Sequence, residues 1–120
     1  MADYTPLFKP GHEVTLTASA DITAGDALVV TGAETVGPSS GASAAYAGVA
    51  ATDAKTGEKV VVIGPALHEL NASGAIAAGD LITTAAAGDV AAFSGTTYST
   101  IIGVAVAAAA SNKVKAKTFR

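Results

Sequence analysis

The side chains that could do chemistry are few in this sequence, and their spacing favours turns over catalysis. Asp26 and Asp80 each follow a glycine in two similar phrases, ITAGDALVV at 22–30 and IAAGDLITT at 76–84. Two carboxylates can act as a general acid and base when they lie close together. A Gly-Asp pair at the same place in both phrases is more typical of a tight turn, since glycine accepts positive φ and aspartate bonds its nearby backbone. We therefore predict that both aspartates are turn residues.

The other reactive side chains also lack a functional arrangement. His12 and His68 are each followed by glutamate, but Ala72 lies four residues after His68, so the HExxH zinc motif is absent. The chain has no cysteine, which excludes a disulfide framework and a thiolate metal site. No phosphate-binding glycine motif is present either. The sequence predicts a protein that is not an enzyme and uses no cofactor, metal or small-molecule substrate.

The elements around these phrases read as short strands separated by turns. Gly25 and Gly79, Val36 and Val90, and Lys59 and Lys113 are each 54 residues apart. We interpret this constant spacing as two internal repeats, at about 14–70 and 71–120, within a single β domain at 14–120. Regularly spaced short strands predict an all-β fold, as a small barrel or sandwich.

The repeat also bears on an alanine-rich stretch near the end of the chain. Alanine is the best helix former, so the sequence at 106–110 favours a helix by propensity alone. Its counterpart in the first repeat, at 51–56, reads as a turn before a strand. We therefore expect residues 107–112 to form a loop or at most one helical turn.

Charge and hydropathy exclude several classes of protein. The net charge is −3 and only 14% of residues are charged, so the chain lacks the basic face that nucleic-acid binding needs. Lys113, Lys115, Lys117 and Arg120 cluster at the end, where strand alternation places them on one face. We expect that face to be solvated, with an acidic partner as the alternative. No apolar run is long enough for a membrane helix, and the first residues do not read as a signal peptide, so we expect synthesis in the cytoplasm and no membrane partner.

The first thirteen residues form a distinct N-terminal segment. Its prolines favour extended geometry over helix, and its aromatic residues are unusual in a chain that is only 5% aromatic. We expect an extended arm at 1–13 that either anchors a partner or caps the core of its own domain. Its candidate contact residues are Tyr4, Pro6, Leu7, Phe8, Lys9 and Pro10.

The order of these phrases resembles a known family. PGHEVTLTA at 10–18 leads into ITAGD, and GVAATDA with GEKVVV follows; ASGAIAAGD at 72–80 and a closing IGVA with KVK complete the pattern. This order is similar to that of the head decoration, or capsid cement, proteins of tailed bacteriophages. The resemblance runs from about Pro10 to Lys117.

The resemblance implies a structural virion protein made in the host cytoplasm. Such proteins bind the outer surface of an expanded capsid, commonly as homotrimers, and stabilise it against internal pressure. The implied partners are the major capsid protein and further copies of the chain, and the arm would extend a sheet of the capsid protein. The alternative is a ligand- or carbohydrate-binding module of the SAF or β-clip type, in which Asp26 and Asp80 would face a groove.

Overall fold

The computed structural model describes residues 13–120, which are almost entirely strands and turns. Two single turns of 3-10 helix, Ala86–Gly88 and Tyr98–Thr100, interrupt the strands. The all-β prediction is confirmed. The ten strands are β1 (Val14–Ala18), β2 (Ala27–Gly32), β3 (Thr35–Pro38), β4 (Tyr46–Ala50), β5 (Lys59–Ile63), β6 (Leu67–Asn71), β7 (Leu81–Thr84), β8 (Val90–Ala92), β9 (Ile101–Ala105) and β10 (Lys113–Thr118).

The first five strands form a closed barrel in the order β1-β3-β2-β4-β5. Every neighbouring pair is antiparallel except β1 and β3, whose short parallel pairing closes the barrel. We call residues 14–63 the first module. The next five strands form a second sheet in the order β6-β10-β9-β7-β8. We call residues 67–118 the second module.

The two modules arrange their strands in the same order. Starting from β1 and going round the barrel, the order is β1, β5, β4, β2, β3, which matches β6, β10, β9, β7, β8 strand for strand. The parallel pair Ala18 and Val36 closes the barrel, and a single parallel bridge between Ala72 and Val90 holds the same position in the second sheet. The residues matched in these two pairings, Ala18 with Ala72 and Val36 with Val90, lie 54 positions apart in the sequence.

The division between the modules differs from the expected one near residue 70. β6 pairs with β10, so it belongs to the second sheet. The break falls at 64–66, where Gly64 and Pro65 end β5. Proline has no N–H to continue a strand ladder, which gives a physical reason for this boundary.

Two apolar cores lie under the two sheets, and the second is shared. The first core contains only first-module residues, among them Leu28, Val36 and Val60. The second core gathers the buried side chains of the second sheet and also includes Ala27, Tyr46 and Val49 from the barrel. The two modules therefore pack against each other through the outside of strands β2 and β4.

The loop before β10 follows the expectation from the repeat. Residues 106–112 contain no helix, only bends, turns and one isolated bridge from Ala110 to Lys113. Four alanines in a row therefore do not form a helix here, because tertiary contacts override intrinsic propensity. Ala109 donates its N–H to the carbonyl of Ile76 at 2.9 Å, which fixes the loop on the β6–β7 connection.

Candidate partner-binding surface

Asp26 and Asp80 both close tight turns, as predicted. The Oδ2 atom of Asp26 accepts the N–H of Thr23 at 3.0 Å, and the Oδ2 atom of Asp80 accepts the N–H of Ala77 at 2.9 Å. The preceding glycines have φ of +93° and +88°, a region that L side chains rarely adopt. The two carboxylates are thus used for local structure, in separate modules, and do not form an acid–base pair.

The two aspartates differ in burial. Asp26 is buried, whereas Asp80 is partly exposed. The difference comes from Gly88, which follows β7 and packs on Asp26 so closely that a Cβ there would lie 2.7 Å from Cγ of the aspartate. Burial raises the pKa of Asp26, and the charges of Asp89 and Asp53 act in the same direction, while the Thr23 N–H opposes them.

A cleft of about 290 Å³ lies on the barrel between the turns at 21–23 and 53–58. Its carboxylates are engaged by backbone N–H groups: Asp21 accepts from Thr56 at 3.0 Å, Asp53 from Ala24 at 2.8 Å and Glu58 from Lys55 at 2.8 Å. The hydrogen bonds from Thr56 lower the pKa of Asp21, with a smaller contribution from Lys55. These carboxylates therefore each hold a turn in place through a backbone hydrogen bond.

The remaining candidate residues show no catalytic arrangement in the described part of the chain. His68 places Nε2 3.1 Å from the Gly64 carbonyl oxygen, and His12 lies outside the described residues. Among residues 13–120, no group of acidic and histidine side chains could hold a metal ion. Residues 37–41 read GPSSG, which fits the G-x-S-x-G pattern of hydrolases. Ser39 is nevertheless buried, and its hydroxyl donates to the Ala85 carbonyl at 2.6 Å, so it is not a nucleophile.

The clustered lysines lie on the outer face of β10, as the alternation predicted. Lys113, Lys115 and Lys117 are exposed while the residues between them are buried. Lys113 donates to the Asn71 side chain at 2.6 Å. Arg120 departs from this pattern, because its guanidinium donates to the carbonyls of Ser99 at 3.0 Å and Ala44 at 2.6 Å. It thereby ties the end of the chain to both modules.

A row of four residues, three of them apolar, crosses the same outer face, and the sequence patterns did not predict it. We call it the apolar row. Leu67 pairs with Lys117, Lys117 with Val104, and Val104 with Leu81, so these four residues form one line across β6, β10, β9 and β7. Leu67 is 64% exposed and Leu81 is 41% exposed. The strand alternation contained a signal for Lys117, but the pairing of Leu81 with Val104 depends on contacts distant in sequence.

Two aromatic side chains extend this row beyond β7. Phe93 donates its N–H to the Leu81 carbonyl at 2.8 Å, and its ring lies 5.8 Å from that of Tyr98, centroid to centroid. Tyr98 is 67% exposed. A face with exposed aromatic and aliphatic side chains beside lysines is typical of a protein-binding surface and not of a substrate pocket.

The predicted arm contacts lie outside the described residues. Tyr4, Pro6, Leu7, Phe8, Lys9 and Pro10 all belong to the first twelve residues. Among residues 13–120, no helix is long and apolar enough to cross a membrane.

Comparison with known proteins agrees with the resemblance noted in the sequence. The structure is similar to "head fiber gp8.5 N base in bacteriophage phi29", with a TM-score of 0.69, 23% identity, and coverage of 89% of this chain and 92% of that one. At this identity the likeness concerns the fold. No curated protein matches the sequence. A family model described as "Phage cement protein" matches residues 8–119. The chain therefore belongs to the family of phage cement proteins, which are structural proteins of the virus particle.

Proposed function

We propose that this protein binds the outer surface of an expanded phage capsid as a homotrimer and stabilises the shell against internal pressure. The observation that carries the proposal is the family match, which spans residues 8–119 and so includes almost the whole chain. A protein of this kind needs a firm fold and a contact surface, but no reaction centre.

The chemistry of the described residues supports a structural role. Five carboxylates in the turns and the cleft each accept a backbone N–H at 2.8–3.0 Å: those of Asp21, Asp26, Asp53, Glu58 and Asp80. The alternative reading as a ligand-binding module of the SAF or β-clip type is not favoured, because it requires Asp26 and Asp80 to face a groove. Asp26 instead lies buried under Gly88, and both aspartates close their own turns.

The composition is also suited to function on a lattice. The apolar residues of this protein are mostly small, and only 5% of its residues are aromatic. Each buried residue therefore contributes little apolar area to the core. Binding to a shell stabilises the folded state by mass action, since the unfolded chain does not bind. Many copies that each make modest contacts can together hold a shell firmly through multivalency.

We further propose that the N-terminal arm contacts the major capsid protein. The arm combines aromatic, aliphatic and proline residues with one lysine, which suits addition of an extended segment to an exposed sheet edge. The proposed contact residues are Tyr4, Pro6, Leu7, Phe8, Lys9 and Pro10. In that mode the backbone provides hydrogen bonds and Leu7 and Phe8 provide the apolar anchors.

Particle rupture is the direct assay of stabilisation. Expanded capsids that lack the protein are heated in its absence, with the full chain, and with a Leu7→Ala/Phe8→Ala variant. We expect the full chain to raise the rupture temperature and the variant to have little effect at the same concentration. Rupture at the same temperature with and without saturating full-length protein would contradict the stabilising function. Equal protection by the variant would remove the arm from the proposal.

A further inference from the structure

The apolar row on the second module matches a surface that is buried on the first module. Leu81 and Val104 pair across β7 and β9, as Ala27 and Val49 pair across β2 and β4. Phe93 donates to the Leu81 carbonyl at 2.8 Å, as Ser39 donates to the Ala27 carbonyl at 2.9 Å. The correspondence therefore holds for strand pairing and for the backbone hydrogen bond beside it.

The first module uses this surface to pack on the second. Ala27 and Val49 are 0% and 4% exposed because they lie in the second module's core, together with Tyr46. Ser39 adds polar contacts, since its hydroxyl donates to Ala85 and its carbonyl accepts the N–H of Gly88 at 3.0 Å. On the second module, the equivalent residues Leu81, Phe93 and Val104 have no third module to cover them within the described chain, and they remain partly exposed.

The surface of the second module on which the first module packs is here called the receiving surface. It is covered on the second module, but its counterpart on the first module is exposed. Thr84 on the second module is 1% exposed because the chain at 41–43 covers it: its hydroxyl donates to Gly41 at 2.8 Å and accepts the N–H of Ser43 at 3.0 Å. Val30, which pairs with Val36 as Thr84 pairs with Val90, is 50% exposed. The first module thus has an uncovered receiving surface around Val30. The second module has an uncovered outer face at Leu81, Phe93 and Val104, which is equivalent to the face that the first module packs on the second.

We propose that these two open surfaces bind each other between copies of this chain. The outer face of the second module, defined by Leu81, Phe93 and Val104, packs on the β2–β3 hairpin of the next copy around Val30. This head-to-tail contact repeats the module-to-module contact already made within each chain. It rests on the proposed function only for the number of copies: in a closed trimer the contact occurs six times, three times within chains and three times between them.

Charge supports a second copy as the occupant. Residues 13–63 contain six acidic and two basic side chains, whereas residues 64–120 contain three acidic and four basic ones. Lys117 pairs directly with Val104 and is exposed, so this lysine lies beside the proposed contact. A head-to-tail arrangement sets the more basic module of one copy against the more acidic module of the next, which favours association.

Glu34 would disfavour a contact between copies that repeats the contact within each chain identically, and it therefore gives the sharpest test. Glu34 occupies the position in the first module that Gly88 occupies in the second, and Gly88 packs on Asp26. In the contact between copies, Glu34 would therefore meet Asp80, which is the counterpart of Asp26. Two carboxylates brought together weaken binding. The proposal thus requires that removal of Glu34 strengthens association.

The test is sedimentation of the full chain over a range of concentrations, with three variants whose folding is checked by circular dichroism. Leu81→Ser should weaken association about tenfold or more, because a buried leucine side chain is lost from the contact. Leu67→Ser is the matched control, since Leu67 lies in the same row but corresponds to the exposed Glu13, and it should change association less than about twofold. Glu34→Gly should strengthen association.

Equal effects of Leu81→Ser and Leu67→Ser, or a chain that stays monomeric even as Glu34→Gly, would overturn the proposal. Capsid binding is measured separately on the same samples. Association that follows the predicted order without capsid binding contradicts the proposed function and leaves this contact standing. Capsid binding by Leu81→Ser with weakened association supports both.

Discussion

Gly88 packs directly against the carboxyl group of Asp26, and this contact joins the two modules. A Cβ at position 88 would lie 2.7 Å from Cγ and 2.8 Å from a carboxylate oxygen of Asp26. The Gly88 N–H also donates to the Ser39 carbonyl at 3.0 Å. Asp26 therefore has two roles, since it closes its own turn and contacts Gly88 of the second module.

Gly88→Ala should destabilise the protein through this contact. Its φ of +76° already disfavours alanine, which costs about 1–2 kcal/mol, and the clash with Asp26 adds about 1 kcal/mol or more. Gly74→Ala is the control, because Gly74 has φ of +92° and nothing within 4 Å of a Cβ. Urea unfolding should show a larger loss for Gly88→Ala than for Gly74→Ala. Equal losses would mean that the contact with Asp26 contributes nothing.

Asp26 should make stability depend on pH in the direction opposite to an ordinary ion-paired carboxylate. Burial raises the pKa of Asp26 in the folded state, so the folded protein holds this proton more tightly than the unfolded chain. Its contribution is fully present below the unfolded pKa of 3.8 and is lost as the pH rises through the folded pKa. Asp26→Asn keeps an oxygen to accept the Thr23 N–H and does not ionise.

We therefore expect the stability of Asp26→Asn relative to the original protein to increase between pH 3 and pH 7. Asp80→Asn is the matched control, because Asp80 makes the same turn bond at 2.9 Å in a partly exposed position. Urea unfolding at several pH values gives both differences. A flat difference for Asp26→Asn across this range, or the same rise for both variants, would contradict the interpretation.

Tyr46 should make the protein sensitive to alkali. Its side chain lies in the core shared by the two modules, and burial raises its pKa to about 12, against smaller opposing effects of Thr118 and Arg120. Its hydroxyl has no hydrogen-bond partner of good geometry among residues 13–120, where the Thr118 hydroxyl is engaged with Ala66. Because the unfolded side chain ionises near pH 10, this contribution to stability is lost as the pH rises from about 10 to about 12.

Tyr46→Phe should change stability at pH 7 by less than about 1 kcal/mol, since it removes a polar group that has no partner. It should also remove up to about 3 kcal/mol of the loss seen above pH 10. Thermal unfolding at pH 7 and pH 11.5 measures both values. A large loss at neutral pH would show that the hydroxyl is bonded in solution, and unchanged alkaline sensitivity would place its cause elsewhere.

Gly103 permits a close backbone approach that a larger residue would prevent. A Cβ at this position would collide with the Lys117 carbonyl on the neighbouring strand β10. Gly48, its counterpart on β4, would collide in the same way with the Ile63 carbonyl on β5, at 2.5 Å. Gly103→Ala should therefore cost about 2 kcal/mol or more by forcing strands apart. An alanine variant of unchanged melting temperature would show that the sheet relaxes at little cost.

The sequence allowed the turns and the strand content to be predicted, because these depend on local patterns. Gly-Asp at 25–26 and 79–80 identified two turns, and the spacing of 54 residues limited the alanine stretch to a loop or at most one helical turn. The break expected near residue 70 lies after β6, although the spacing itself places the counterpart of Val14 at His68, inside that strand. The pairing of β6 with β10 is not local, so it could not correct this boundary from the sequence.

The difference between the two modules could not be predicted in this way. Ala27, Val49, Leu81 and Val104 are all apolar residues in strands, and nothing local distinguishes the buried pair from the exposed one. Their burial depends on whether another module covers them, which is a tertiary property. The arm residues proposed as contacts lie outside the described part of the chain, so their role rests on the sequence alone.

Co-sedimentation of the full chain with expanded and unexpanded capsids of its phage, both lacking the protein, tests the central claim most directly. The account predicts saturable binding to expanded capsids and little binding to unexpanded ones, with the bound protein accessible to antibodies on intact particles. Absence of binding to expanded capsids, or binding only to disrupted ones, would contradict it.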